Sequence, residues 1–163
     1  MAVHNKIEKK DKESKTSKVS KKEYIHAIGR RKQAIARVQL YSDFKEDVTW
    51  KDQVIKKGNI FVNEKPISEY FSGQVSKVAY EEPFKLTNTL NKFAVTIRIS
   101  GGGLFGQLDA SVLAIARALI IFDPSFRSIL KKKGLLSRDS RVRERRKVGT
   151  GGKARRKKQS PKR

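Results

Sequence analysis

The chemistry open to this chain lies in its cations. Residues 131–163 carry 16 Lys and Arg against two acids, Asp139 and Glu144, a net of +14. Their only large aliphatics are Leu135, Leu136, Val142 and Val148. Ordering a backbone residue costs roughly 1–2 kcal/mol. So little apolar surface does not offset that, which predicts a segment that orders only against a polyanion. Arg is as frequent here as Lys, and its planar fork suits phosphates and stacked bases. Residues 147–163, run extended at about 3.3 Å each, reach on the order of 55 Å. That length suits threading into a large folded RNA.

Two further groups could meet phosphate. Gly29, Arg30, Arg31 and Lys32 read as a basic turn between two strands, placing adjacent cations at a hairpin tip. Gly101-Gly102-Gly103-Leu104-Phe105-Gly106 satisfies G-x-G-x-x-G between a strand and a helix, the setting of a dinucleotide fingerprint. The rest of that setting fails, because Asp123 stands at a helix end before Pro124 and no further βαβ unit follows. The plainer reading is a tight turn needing positive φ or close backbone approach. Its N–H groups, at a helix N-terminus, can also accept an RNA phosphate. Gly149-Thr150-Gly151-Gly152-Lys153 departs from a P-loop at Lys147 and Ala154, so it reads as a bend.

Nothing in the sequence suggests catalysis. His4 and His26 lie far apart, no carboxylates pair in an apolar setting, and there is no cysteine for a thiolate, disulfide or Cys-type zinc site. The expectation is a non-enzymatic protein without cofactor, metal or small-molecule substrate. The longest apolar stretch, residues 112–122, is short and interrupted by Arg117, and the N-terminus has Lys and acids but no apolar core. No membrane span, signal peptide or organellar transit peptide is therefore expected.

Positioning these groups requires a domain. The chain has 163 residues and a net charge of +23, of which residues 1–22 carry +5 and residues 23–130 only +4. Residues 1–22 read as a disordered Lys-rich extension, 23–130 as a globular domain and 131–163 as an extended basic tail. Order begins at Tyr24 with the two strands flanking the basic turn. Trp50, on a short strand at residues 48–50, is expected to cover core. Residues 59–63 form a strand and Pro66 opens a helical turn bringing Tyr70 and Phe71 together. Residues 74–91 allow a short helix broken at Pro83. FAVTIRIS (residues 93–100) alternates strictly, with Phe93, Val95, Ile97 and Ile99 on one face and Ala94, Thr96, Arg98 and Ser100 on the other. ASVLAIARALIIF (residues 110–122) reads as a core helix with Asp109 as N-cap. A short helix over residues 125–132 ends at Gly134. Strands first and helices mostly last predict a two-layer α+β sandwich, a mixed sheet with helices on one face.

Composition alone leaves open a chromatin or nucleoid architectural binder, and the glycine turn a nucleotide-dependent enzyme. Six ordered blocks favour another reading: GRRKQAIARV (29–38), VNEKPISEYF (62–71), GGGLFGQ (101–107), IARAL (115–119), DPSFRSILKKKGLLSRDSRVRERRKVG (123–149) and KARR with a terminal Lys-Arg. Over residues 24–163 the chain resembles the family of the ninth protein of the small ribosomal subunit, in its bacterial form. The resemblance implies a ribosomal S5 domain 2-like sandwich with a left-handed crossover. It implies a structural role in a cytoplasmic ribosome, binding small-subunit ribosomal RNA in the head beside neighbouring head proteins. Carried over, the ribosomal RNA contacts fall on Gly29, Arg30, Arg31, Lys32 and Arg37. They continue on Gly101, Gly102, Gly103, Gly106 and Gln107, and on Arg138, Arg141, Arg143, Arg145, Arg146, Lys147, Lys153, Arg155, Arg156, Lys157 and Lys158. Lys162 and Arg163 would approach the anticodon stem-loop of the peptidyl-site transfer RNA. The chain departs from the family at Glu64, where a glycine or small turn residue is usual, in a longer 42–58 connection and in its leader. It departs again at Ser160-Pro161, which replaces an aromatic-Ser pair and leaves charge rather than stacking to make that contact.

Overall fold

In a computed structural model, which describes residues 24–42, 48–50 and 53–144, alternation sets the first two strands. β1 (Tyr24–Arg31) and β2 (Ala34–Tyr41) pair antiparallel, from Tyr24 opposite Tyr41 to Arg31 opposite Ala34. The chain therefore turns at Lys32 and Gln33, not over residues 29–32 as expected. Pairing runs on past Gly29 because Ala27 and Gly29 continue the buried side of β1. The side chain of Trp50, the leader and everything from Arg145 onward, including the 149–152 bend, lie outside the described residues.

β7 (Ala94–Ser100) lies antiparallel to β2 and parallel to β5 (Ile60–Val62), and β6 (Lys65–Pro66) closes the far edge. The result is a mixed five-stranded sheet, ordered β1-β2-β7-β5-β6. β3 (Val48–Trp50) and β4 (Gln53–Ile55) make a separate hairpin. α3 (Leu104–Phe122) lies across β1 and β2, and α2 (Gln74–Leu86) and α4 (Phe126–Lys132) pack beside it, with α1 (Ile67–Tyr70) at β5 and β6. The core forms between sheet and helices from Val38, Leu40, Val95 and Ile97 against Leu108, Ile115, Leu119, Phe84 and Leu130. β7 shows the expected alternation, but its first half is buried on both faces, because Tyr41, Ala94, Ile55 and Phe61 form a second cluster.

Small residues let α3 sit close. Gly106, Ala110, Ala114 and Ala118 recur every four residues on its buried side. They meet Ala27, Gly29, Ala34 and Ala36 of the hairpin, all buried. A Cβ on Gly29 would stand 1.9 Å from the Ala110 carbonyl oxygen and 2.7 Å from the Ala114 nitrogen. This stripe starts upstream of Asp109, so the helix does too: Gly103 occupies the N-cap position expected for Asp109, without a side-chain cap. By length and composition α3 could cross a bilayer, yet it is the core helix of this domain. Its Arg117 donates from Nη1 to the carbonyl of Ile28 at 2.7 Å, on the outer side of β1.

α2 runs through Pro83 instead of breaking there. An interior proline costs about 3 kcal/mol, offset here by burial of Tyr80, Pro83 and Phe84. α4 ends as expected at Gly134, φ 75. Gly134 N–H donates to Lys131 O at 3.0 Å and Leu135 N–H to Leu130 O at 3.1 Å, the paired bonds of a Schellman stop. Packing continues past residue 130, since Leu135 and Leu136 lie against the core.

Candidate nucleic-acid interface

The basic turn, the glycine block and the start of the tail are far apart in sequence and converge at one end of the sheet. The β1–β2 tip presents Arg30 and Lys32, both exposed. Gly101 and Gly102, at φ 72 and 71, press against that tip. Their Cβ positions fall 2.6 Å from the Gln33 carbonyl oxygen and 2.8 Å from the Ala34 side chain. The tight turn with close backbone approach read from the sequence is therefore present. Gly103 is exposed, with nothing near its Cβ position.

The tail joins this end through Arg31. Its Nη2 lies 2.7 Å from Asp139 Oδ2 and its Nε 3.5 Å from Asp109 Oδ2. Its Nη1 donates to the Arg141 carbonyl at 2.8 Å. Asp139 in turn accepts from Arg141 N–H at 2.9 Å and from Nε and Nη2 of the Arg141 guanidinium at 3.0 and 2.6 Å. Hydrogen bonds from the Arg141 side chain, then from its backbone N–H, hold the Asp139 carboxyl well below the usual carboxylate range, with Arg31 adding to the effect.

The sheet face turned away from α3 adds a second cationic surface. Arg37 stands directly opposite Arg98 in the β2–β7 register, and both are exposed. Like charges so placed weaken a sheet by themselves, and an anion lying across them relieves that. His26, exposed on the same face, pairs with Gln39, whose Oε1 accepts from Thr96 Oγ1 at 3.2 Å.

Several expected contact residues have a role in the fold. Gly29 is buried beneath α3, where its missing Cβ admits the helix backbone, so it offers no surface to RNA. Gly106 is buried in the first turns of α3. Gln107 spends its amide internally, Nε2 donating to Gly101 O at 3.0 Å and Oε1 accepting from Tyr70 Oη at 3.0 Å. Arg31 is turned inward to the carboxylates, its side chain 12% exposed. Arg30, Lys32, Arg37, Gly101, Gly102, Gly103, Arg138, Arg141 and Arg143 are exposed. Arg145, Arg146, Lys147, Lys153, Arg155, Arg156, Lys157, Lys158, Lys162 and Arg163 lie outside the described residues. Sequence reasoning left out Arg98, although strand alternation already set it on the open face with Arg37. It also left out Asp109 and Asp139, whose signal was an isolated acid within or facing a basic run.

The family described as Ribosomal protein S9/S16 matches residues 29–163. The small ribosomal subunit protein uS9 of Maridesulfovibrio salexigens is 44% identical over 131 residues, 80% of this chain and 91% of that protein. The protein of the same name from Solidesulfovibrio magneticus is 39% identical over 130 residues, 80% of this chain and 90% of its own length. That of Anaeromyxobacter sp. strain K is 40% identical over 125 residues, 77% and 86% of the two chains.

Proposed function

The chain belongs to the ribosomal protein S9/S16 family, structural and non-enzymatic components of the small ribosomal subunit, and on that premise we propose that it binds small-subunit ribosomal RNA in the head and sends its tail toward the peptidyl-site transfer RNA. Its setting is the cytoplasmic ribosome, beside neighbouring head proteins. The observation that carries the reading is the convergence of tip, glycine turn and tail at one end of the sheet. Arg30, Lys32, Arg37 and Arg98 meet phosphates on the domain, and each contact releases condensed counterions. Exposed N–H groups around Gly103 add uncharged donors to phosphate. The tail beyond Glu144 orders along the RNA groove, with Lys162 and Arg163 at its end supplying charge to the transfer RNA. We also assign the fold to the ribosomal S5 domain 2-like sandwiches with basic arms, supported by the parallel β5–β7 pair and helices on one face.

A graded truncation tests this. Residues 145–163 carry ten Lys and Arg and no acid. A chain ended after Glu144 keeps the packed unit and should lose most of the salt dependence of binding to head RNA. Each lost phosphate contact lowers the log–log slope by roughly 0.7–0.9. Removing only Lys162 and Arg163 should leave assembly intact and speed transfer RNA release from the peptidyl site. An unchanged salt slope in the first variant overturns the reading.

A further inference from the structure

We propose that Arg31 is a positioning residue: by gripping Asp139 and the Arg141 carbonyl together, it fixes where the basic tail leaves the domain and in which direction. This rests on the tail having a distant target, as proposed above.

The geometry is that of a latch with two fixed points. One guanidinium engages with all three of its nitrogens. Nε faces Asp109 on α3, Nη2 faces the Asp139 carboxylate, and Nη1 donates to the Arg141 carbonyl two residues further on. A single contact would leave the tail free to swivel about it. Two contacts on one planar fork, separated along the chain, set an orientation as well as a position. Asp139 and Arg141 are themselves tied by a backbone bond and a bidentate pair, so the gripped segment is one small closed unit. Asp109 holds the other side of the fork to the core helix. The guanidinium is thereby referred to the rigid part of the fold.

The chemistry of the tail points the same way. An acid in a segment that must neutralise phosphates weakens that task, and this tail has only two. Asp139 is spent entirely inside the latch. A tail whose root is fixed keeps its far end at a higher effective concentration near a fixed target than one that swivels. The latch thus trades one unit of positive charge for aim.

Charge and aim make opposite predictions for one substitution. Asp139→Ala removes a negative charge and so raises the net charge of the tail by one, which tightens RNA contact if the tail is only a polycation. Glu144→Ala makes the same charge change outside the latch, and Arg31→Lys keeps charge while removing the fork. The chain has no cysteine, so Val75→Cys and Val142→Cys, both exposed, accept spin labels cleanly for electron-electron distance measurements on the free protein. The expected result is a narrow distance distribution in the parent and in E144A, and a broad one in D139A and R31K, with thermal melting confirming that each folds. Distributions as narrow as the parent in both D139A and R31K overturn the latch. On small subunits, D139A should release peptidyl-site transfer RNA faster despite its higher net charge, while E144A does not. If distances broaden but release is unchanged, the latch holds and the assignment of the tail to transfer RNA is what fails.

Discussion

Gly29 offers the sharpest test of how the interface end is built. Substituting alanine places a methyl carbon 1.9 Å from the Ala110 carbonyl oxygen, where ordinary contact begins near 3.4 Å. The obstacle is helix backbone, with the Ala114 nitrogen 2.7 Å away on the same side. No rotamer change relieves it. α3 must lift by about 1.5 Å or β1 must bend, and either loosens the stripe of Gly106, Ala110, Ala114 and Ala118. Overpacking of this kind costs about 1–3 kcal/mol, and a backbone obstacle puts G29A at the upper end. Against that, alanine in a strand gains roughly 0.5–1 kcal/mol over glycine. The net expectation is a loss of about 2 kcal/mol, read as a lower urea midpoint at unchanged m. The melting temperature should fall by roughly 5–15 °C for a domain of this size. RNA affinity, measured where the variant is fully folded, should not change. A variant within about 0.5 kcal/mol of the parent but with weakened RNA binding would falsify the packing assignment and return Gly29 to the RNA surface.

Glu64 holds φ 75 in the two-residue turn between β5 and β6, a conformation that costs a residue with a Cβ about 1–2 kcal/mol. Glu64→Ala loses the side chain but keeps the strained φ, while Glu64→Gly loses both at some cost in unfolded-state entropy, so equilibrium denaturation should show the glycine variant more stable than the alanine variant by up to about 1 kcal/mol; the reverse order refutes the strain. The latch should also resist acid. Its carboxyl, Asp139, is held below its ordinary value, so its contribution is complete above the unfolded value and disappears only as pH falls through the lower folded one. The narrow spin-label distances should therefore persist at about pH 4, near the pKa of an unperturbed Asp, and broadening already at that pH counts against the pairing.

The elements visible in the sequence were those whose pattern is local. Strict alternation in residues 93–100 defined β7 and its two faces, and Gly134 marked the end of α4. Boundaries shifted where long-range packing decided them. β1 continues through Gly29 because α3 lands on it, and α3 begins at Leu104 because its small-residue stripe begins at Gly106. α2 tolerates Pro83 because Tyr80 and Phe84 are buried beside it. At the candidate interface, the exposure of Arg30, Lys32 and Arg37 was legible from charge and strand parity. The inward turn of Arg31 was not, since it depends on Asp139, which lies 108 positions later. The packing of Gly29 beneath α3 and the internal hydrogen bonds of Gln107 were likewise hidden, since both depend on partners outside their own sequence block.

The bond from Arg117 to the Ile28 carbonyl has a consequence for the chain before it meets any partner. β1 is an outer strand, and an open outer strand is a template on which another chain can add by backbone pairing. Arg117 occupies an acceptor that such an intruder would need, and brings a full charge to the border. The opposite border is two residues long and ends in Pro66, which has no N–H to offer. Among the described residues, both margins of the sheet thus offer an added strand fewer free backbone groups.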